Sequence, residues 1–499
     1  MRKKRLDSDY ISIALDEFCK NGDAYTSENE LYKVCKRARP NLEYPVFRVN
    51  LAEQIREENI HVEGLRLYAT RTWRYEEHAA DKLAALPSKR PLPGAVLSET
   101  LTVGGVALCE EQREAVEMAV SNRLSVILGG AGSGKTTLIR GIVAAAGADC
   151  HPVLCAPTGK AARNLTERTG MTARTVHSAL GMHPDEDFLT AVIWQSVRLV
   201  IVDEASMMTL EMLAGILDKA PDGCRVVLVG DENQLLSVGA GNVLPDLIEL
   251  GVPVFKLEKN HRQSAGAAAL LHNVVGFKSL HSASELMFDD SCRLIEAWEQ
   301  EAMDRLVKEA ARRYLDGESV QVLAPLRRTV AALNKRIRDL VNPGAPGKAC
   351  AKGFRDGDRV IITQNDRDRD CSNGDVGILR ILNDESGKCV KVSVQLPDGR
   401  QPTWEADAVS VGLHNMELAY ALTVHKSQGS EYDTILFPAL MSMQPMLYRN
   451  LFYTAVSRAR KQVWLYGSRQ AVDTAMRREL PSRKSMLVAK TRFRSELTA

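Results

Sequence analysis

The sequence contains no Cys-x-x-Cys pair. Its ten cysteines are scattered, the closest being Cys150 and Cys155. That pattern argues against a zinc site or a disulfide framework; reduced thiols in a cytosolic protein are the simple reading. No apolar run approaches the roughly 18 residues that a membrane-spanning helix needs. The opening residues Met1-Arg-Lys-Lys-Arg-Leu6 are basic, but Asp7, Asp9 and Asp16 come directly after them in place of an apolar core, so this is not a secretory signal. A cytoplasmic protein with no membrane partner is expected. Charge of one sign is not in excess either. The 65 Lys+Arg face 63 Asp+Glu, a formal net charge of +2, so any surface for a polyanion has to be a local groove. Aromatics make up only 5%, too few for an obvious aromatic-rich stacking platform. Internal repeats and low-complexity tracts are absent.

What is present is a long chain of ordinary hydrophobic content, 499 residues at 45%. That supports several packed cores and about three or four domains, and it excludes wholesale disorder. Residues 1–96 read as an N-terminal α+β domain and linker. Asp9–Lys20 is amphipathic and stops at Gly22. Ser27 and Glu30 form a capping-box pattern before Leu31. A third helix follows Pro45, and two short apolar runs around Glu63-Gly64 read as a hairpin. Three helices and a hairpin follow the winged-helix order, which suits duplex contact, a protein partner or packing alone. A helix over Thr72–Leu86 leads into the Pro-rich linker Pro87–Gly94.

From about residue 97 short β-branched runs alternate with helical stretches. They include Ser125–Leu128, Val153–Cys155, Leu199–Val202, Arg225–Val229 and Pro253–Phe255. Continuous apolar strands separated by helices mean a parallel sheet covered on both faces. The pattern returns at Val320–Leu323, Ala419–Val424, Thr434–Phe437 and Val463–Tyr466. The fold class expected is therefore α/β, with two such domains in tandem: 97–265, then 266–345 together with 413–499. Between the two halves of the second, residues 346–412 are strand-like and rich in turns (Asp356-Gly357, Asn373-Gly374, Asp398-Gly399), as in a small inserted β-barrel.

Gly129-Gly-Ala-Gly-Ser-Gly-Lys-Thr136 matches G-x-x-x-x-G-K-[ST] between an apolar strand and a helix, the context a phosphate-binding loop requires. The backbone N–H groups of Gly129, Gly130, Ala131, Gly132, Ser133 and Gly134, with those of Thr136 and Thr137 at the helix start, can close around phosphate oxygens. Lys135 would reach the β- and γ-phosphates and the Thr136 hydroxyl would bind Mg²⁺. At the end of another apolar strand, Val202-Asp-Glu-Ala-Ser206 places Asp203 to hold the same Mg²⁺ and Glu204 to orient or deprotonate water. ATP and Mg²⁺ are the cofactors expected.

Later segments resemble, in order, the motifs of superfamily 1 helicases, and of the RecD-like group of its 5′→3′ branch, superfamily 1B. They are Leu108–Gln112, Ala156–Ala162, Thr175–His177, Gly230–Leu235 with its continuation Ser237–Leu244, Asn260–Gln263, Leu422–Glu431 and Leu451–Arg460. The resemblance covers roughly residues 97–470. It implies tandem RecA-like domains, an SH3-like barrel insert, and ATP-driven 5′→3′ movement on single-stranded DNA with unwinding at single/double-strand junctions, by a monomeric motor. It also implies roles. Gln112 would read adenine, Gln234 sense the γ-phosphate, Arg262 and Arg458 serve as arginine fingers, and Glu431 contact the ribose. Thr158, Gly159, Lys160, His177, Thr423, His425, Lys426, Ser427 and Gln428 would contact the strand, mainly through backbone phosphate.

Departures from the family pattern are Leu236 in place of a common proline, His261 in place of an aromatic, and a short span, 182–196, for the strand-separating hairpin. Its tip would be Phe188 or Trp194, unless each packs in the core. Translocation is thus better supported than strand separation. RNA as the track, or an ATP-gated subunit of a larger complex that docks through residues 1–96, are the alternatives. No carboxylate cluster beyond Asp203-Glu204 suggests a nuclease.

Overall fold

The computed structural model describes residues 9–86, 102–103, 105–182, 192–259, 267–344, 350–366, 368–405 and 408–498. The Pro-rich linker 87–94, Phe188 and Asn260–Gln263, with Arg262, lie outside them. No described helix is long and apolar enough to cross a membrane.

At the N-terminus the helices Asp9–Lys20, Glu28–Ala38 and Tyr44–Arg56 precede strands Ile60–Glu63 and Arg66–Ala69. The Ser27–Glu30 capping box forms as expected. With Tyr25–Thr26 the strands make a three-stranded antiparallel sheet. Ile11, Leu31, Phe47, Leu51 and Leu67 fill the small core.

Two parallel sheets come next along the chain. The first has the order Val254–Leu257, Leu124–Gly129, Arg225–Gly230, Leu199–Val202, Pro152–Ala156, Ala173–Thr175. Its central strands are buried along their whole length, which is why they read as unbroken apolar runs. The second has the order Cys292–Glu296, Ala459–Gly467, Tyr432–Ala439, Val320–Ala324, Ala421–Thr423. The edge strand Cys292–Glu296 escapes sequence reading because Arg293 and Glu296 break its apolar run. Inserted before the last part of the second sheet is a five-stranded antiparallel sheet, Thr403–Glu405, Cys389–Gln395, Val376–Asn383, Arg359–Ile362, Met416–Leu418. It has its own core around Leu379, Val392, Val394 and Trp404. The insert thus runs past the expected limit at 412, and no pairing closes its two outer strands among the described residues. Asn373-Gly374 is not a two-residue hairpin; it lies at the end of a longer connection from Thr363 to Asp375.

The expected extent of the second α/β domain, through residue 499, also needs correction. After helix Arg469–Arg477 the chain leaves that domain. Helix Leu487–Thr498 packs on Thr70–Ala84 and Val243–Glu249 instead. Lys490 helps hold it there, beside Leu487 in the first-domain core and Arg494 on Glu77 and Asp81. It is 7% exposed and its Nζ lies 2.7–3.1 Å from Glu63, Glu76 and Glu77. Glu76 is fully buried. Lys490→Ala would leave that carboxylate buried without its cation, which should destabilise the protein by about 3 kcal/mol. Denaturant unfolding checks this; an unchanged midpoint would show that the tail contributes little.

Candidate functional site

The strand Leu124–Gly129 ends in the glycine-rich turn, and the helix Lys135–Ala146 starts from Gly134, whose φ of +80° only glycine adopts without strain. Gly129 has Ser133 Oγ where a Cβ would stand. Ser133 Oγ donates to Gly130 O at 3.0 Å. Lys135 Nζ donates to Gly129 O at 2.6 Å and Gly130 O at 3.0 Å, so its ammonium lies over the mouth of the loop. Thr136 and Thr137 sit in the first helical turn.

Asp203 comes off the strand Leu199–Val202, one strand beyond Arg225–Gly230 in the same sheet. Burial pushes its carboxyl pKa up, and Glu204 adds to that; Lys135 opposes both. Glu204 holds a left-handed backbone, φ +52°, an uncommon cost for a side chain of its size. Its N–H donates to Asp203 Oδ1 at 2.9 Å. Nearby, Ser206 Oγ and Gln234 Oε1 are buried without a hydrogen-bond partner among the described residues. A hydroxyl at Thr136, a half-buried carboxylate at Asp203 and unused buried oxygens would suit a Mg²⁺ ion. Gln112 is 6% exposed, and its Oε1 accepts from Cys109 N at 3.2 Å, capping its own helix.

The second α/β domain meets this site through helix Arg449–Val456. The Tyr453 hydroxyl donates to Asp231, which also accepts from Gln234 Nε2 at 3.4 Å. Burial and Asp231 push the Tyr453 pKa well up, so it remains a donor. Leu235, next to Gln234, is held on three sides. Its N–H donates to Thr454 Oγ1 at 2.9 Å, its carbonyl accepts from Gln428 Nε2 at 2.9 Å, and its side chain lies in the second domain's core. Asp231 and Tyr453 stand inside segments quoted for their motifs, yet sequence reading did not single them out. The signal to be had was a tyrosine on a buried helix, whose hydroxyl must find a partner. Arg458, 4% exposed, follows the C-cap Ser457 of the same helix and donates to Thr454 O at 3.2 Å and Ser457 Oγ at 3.3 Å. Its charge lowers the pKa of Tyr453, against the larger upward effects of burial and Asp231. Glu431 pairs with Arg168 of the first domain at 3.0 Å and with Arg460 at 3.2 Å, a contact across the seam.

A groove of about 1200 Å³ runs beside the seam. It gathers Thr158, Gly159, Lys160, Thr423, His425, Lys426 and Gln428 from the two domains. It adds residues the sequence reading missed: Arg327, Asn365, Asn373, Arg483 and Lys20. Arg327 follows a buried strand and opens a helix, a signal open to notice. Arg483 comes from the returning tail and gave none. His425 is pushed to lower pKa by burial and by Arg483 and Arg327, so it presents a neutral ring at neutral pH. Ser427 does not belong to the set: it is fully buried and its hydroxyl donates to Val424 O at 2.7 Å. Nor does His177 line the groove. Trp194 donates from its indole to Ala179 O at 3.1 Å and packs on the first core, not as a tip.

The inserted sheet forms part of the groove wall. Arg163 holds both Asp375 oxygens, at 2.8 and 2.9 Å, and Ser372 Oγ at 3.1 Å. A Cβ on Gly159 would lie 3.0 Å from Ser372 Cβ, so the glycine admits the insert at close range.

Comparison with known proteins agrees with this arrangement. A family model described as an AAA domain matches residues 107–285, and one described as a UvrD-like helicase C-terminal domain matches residues 418–466. The chain is 34% identical over 440 residues to the ATP-dependent RecD2 DNA helicase of Deinococcus radiodurans, covering 86% of this chain and 59% of that protein. It is 32% identical over 478 residues to the RecBCD enzyme subunit RecD of Mycolicibacterium smegmatis, covering 83% of this chain and 80% of that protein. Among solved structures it is similar to Bacteroides Pif1 bound to ssDNA, at 19% identity and a TM-score of 0.48, over 76% of this chain and 95% of that one.

Proposed function

The chain belongs to the RecD family of helicases, and we propose that it is an ATP-driven 5′→3′ translocase on single-stranded DNA that opens duplex at junctions. The observation that carries this reading is the grip on Leu235. A residue beside the candidate γ-phosphate sensor is fastened to the second domain by backbone and side chain alike. A small change at Gln234 therefore has a rigid path to the opposite wall of the groove.

ATP with Mg²⁺, when bound, supplies the phosphoanhydride and the bridging charge. Lys135 and the loop amides would orient the phosphates, Thr136 and Asp203 would hold the ion, and Glu204 would position water and accept its proton. Arg458, with Arg262, stabilises the charge that develops, and the domains draw together. Thr158, Lys160, Thr423 and Lys426 hold the strand by its phosphates, so binding tolerates sequence and weakens with salt. Residues 1–96 act as a winged-helix-like module and the insert as an SH3-like wall to the strand.

The test is unwinding of 5′-tailed against 3′-tailed duplexes, with single strands added to the ATPase assay. Displacement of the 5′-tailed substrate alone, and ATPase raised strongly by single-stranded DNA over matched RNA, are expected. ATPase indifferent to nucleic acid overturns the motor reading. A second reading, an ATP-gated subunit of a larger complex, is favoured by apolar residues on the N-terminal module: Val46, Val49 and Leu65 are 49%, 69% and 90% exposed. ATPase without displacement, restored by a partner protein, would support it.

A further inference from the structure

The helix Ala268–Ser279 belongs to the second α/β domain, with Ala269, Leu270, Val274 and Phe277 in its core. Its last turn carries Lys278 across the seam to the phosphate loop. A Cβ built on Gly130 would lie 2.6 Å from Lys278 Nζ and 3.2 Å from the Tyr453 hydroxyl. Two side chains of the other domain thus approach Gly130, and one of them is a cation.

The position is held from several sides. Lys278 Nζ lies 5.1 Å from the centroid of the Tyr453 ring, a cation–π contact. Arg449, on the helix of Tyr453, donates to the Lys278 carbonyl at 3.4 Å. A positive charge also suits a helix C-terminus. No carboxylate pairs with Lys278 among the described residues. A half-buried ammonium without a counter-charge, touching a loop built for phosphate, has the chemistry to meet an anion there.

We propose that Lys278 is a further catalytic residue, a cation from the second domain that contacts the terminal phosphates of the nucleotide bound at Gly129–Thr136. This rests on the reading of that loop as the ATP site. It adds a contact that forms only when both domains and the terminal phosphate are together, so Lys278 tells ATP from ADP.

The test compares the wild-type chain with Lys278→Ala, Lys278→Gln and Lys278→Arg. ATPase is measured with an oligo-dT strand, together with the Kd of fluorescent ADP, the Kd of AMP-PNP and thermal unfolding. Ala and Gln should lower kcat about 10- to 100-fold and weaken AMP-PNP about tenfold. They should leave ADP affinity and the unfolding midpoint unchanged, and Arg should recover part of the loss. Wild-type kcat and KM in Lys278→Ala overturn the proposal. Equal loss of ADP and AMP-PNP binding with a lowered midpoint also overturns it, because the lysine would then be a packing contact. A wild-type chain that binds no ATP overturns the underlying reading as well; an active wild type beside an equally active variant overturns this one alone.

Discussion

Lys135→Ala is expected to reduce nucleotide turnover by about 10³-fold or more, and Glu204→Gln to do the same without losing nucleotide binding. The two fail for different reasons. Lys135 places its ammonium on the loop carbonyls Gly129 and Gly130. With Arg168 of the same domain, it opposes the rise in the Asp203 carboxyl pKa. On the proposed mechanism its removal takes away a phosphate ligand, and it makes the Asp203 carboxylate harder to ionise. Glu204→Gln keeps the volume and the strained backbone at φ +52°, but an amide cannot take a proton from water. Steady-state ATPase and fluorescent-nucleotide titration separate the cases: Glu204→Gln binds and does not turn over. A Glu204→Gln chain hydrolysing ATP at near the wild-type rate would remove that residue from the mechanism.

Arg458→Ala is the second large effect expected. Loss of an arginine finger costs roughly 10³–10⁵ in rate in well-built sites, and the loss here should fall on kcat. Arg458 is almost fully buried and tied to Thr454 O and Ser457 Oγ. Arg458→Lys should recover little, because an ammonium cannot span those two acceptors and a phosphate with one planar fork. Strand affinity should also stop responding to nucleotide, since Thr454 of the same turn holds Leu235 across the seam. The check is single-strand Kd with AMP-PNP and without nucleotide. A nucleotide-dependent change that survives in Arg458→Ala, with kcat near wild type, would reduce Arg458 to a cap for its own helix.

Much of the candidate nucleotide site was legible because its residues are contiguous. The phosphate loop and Asp203-Glu204 each need a buried strand followed at once by a tight turn, and both requirements leave local marks: an apolar run, then glycines or paired carboxylates. The groove was half legible. Thr158–Lys160 and Thr423–Lys426 sit at strand ends that apolar runs announce. Ser427 sits in the same run of letters but faces inward, and a stretch of loop carries no periodicity to say so. His177 was included by its motif frame, yet the groove does not extend to it. Arg483 and Lys278 come from segments outside any motif.

By itself the amino-acid order determined local chemistry: where strands end, which turns need glycine, where phosphate can be cradled and where a carboxylate pair must be paired with a cation. Those properties depend on neighbours a few residues away. Only the tertiary structure decided which distant groups share a site: Tyr453 with Asp231, Leu235 with Thr454 and Gln428, Lys278 with Gly130, and the tail's Lys490 with Glu76. Each joins residues separated by well over a hundred positions, and such contacts arise from how two sheets and a returning helix pack, which no local pattern encodes.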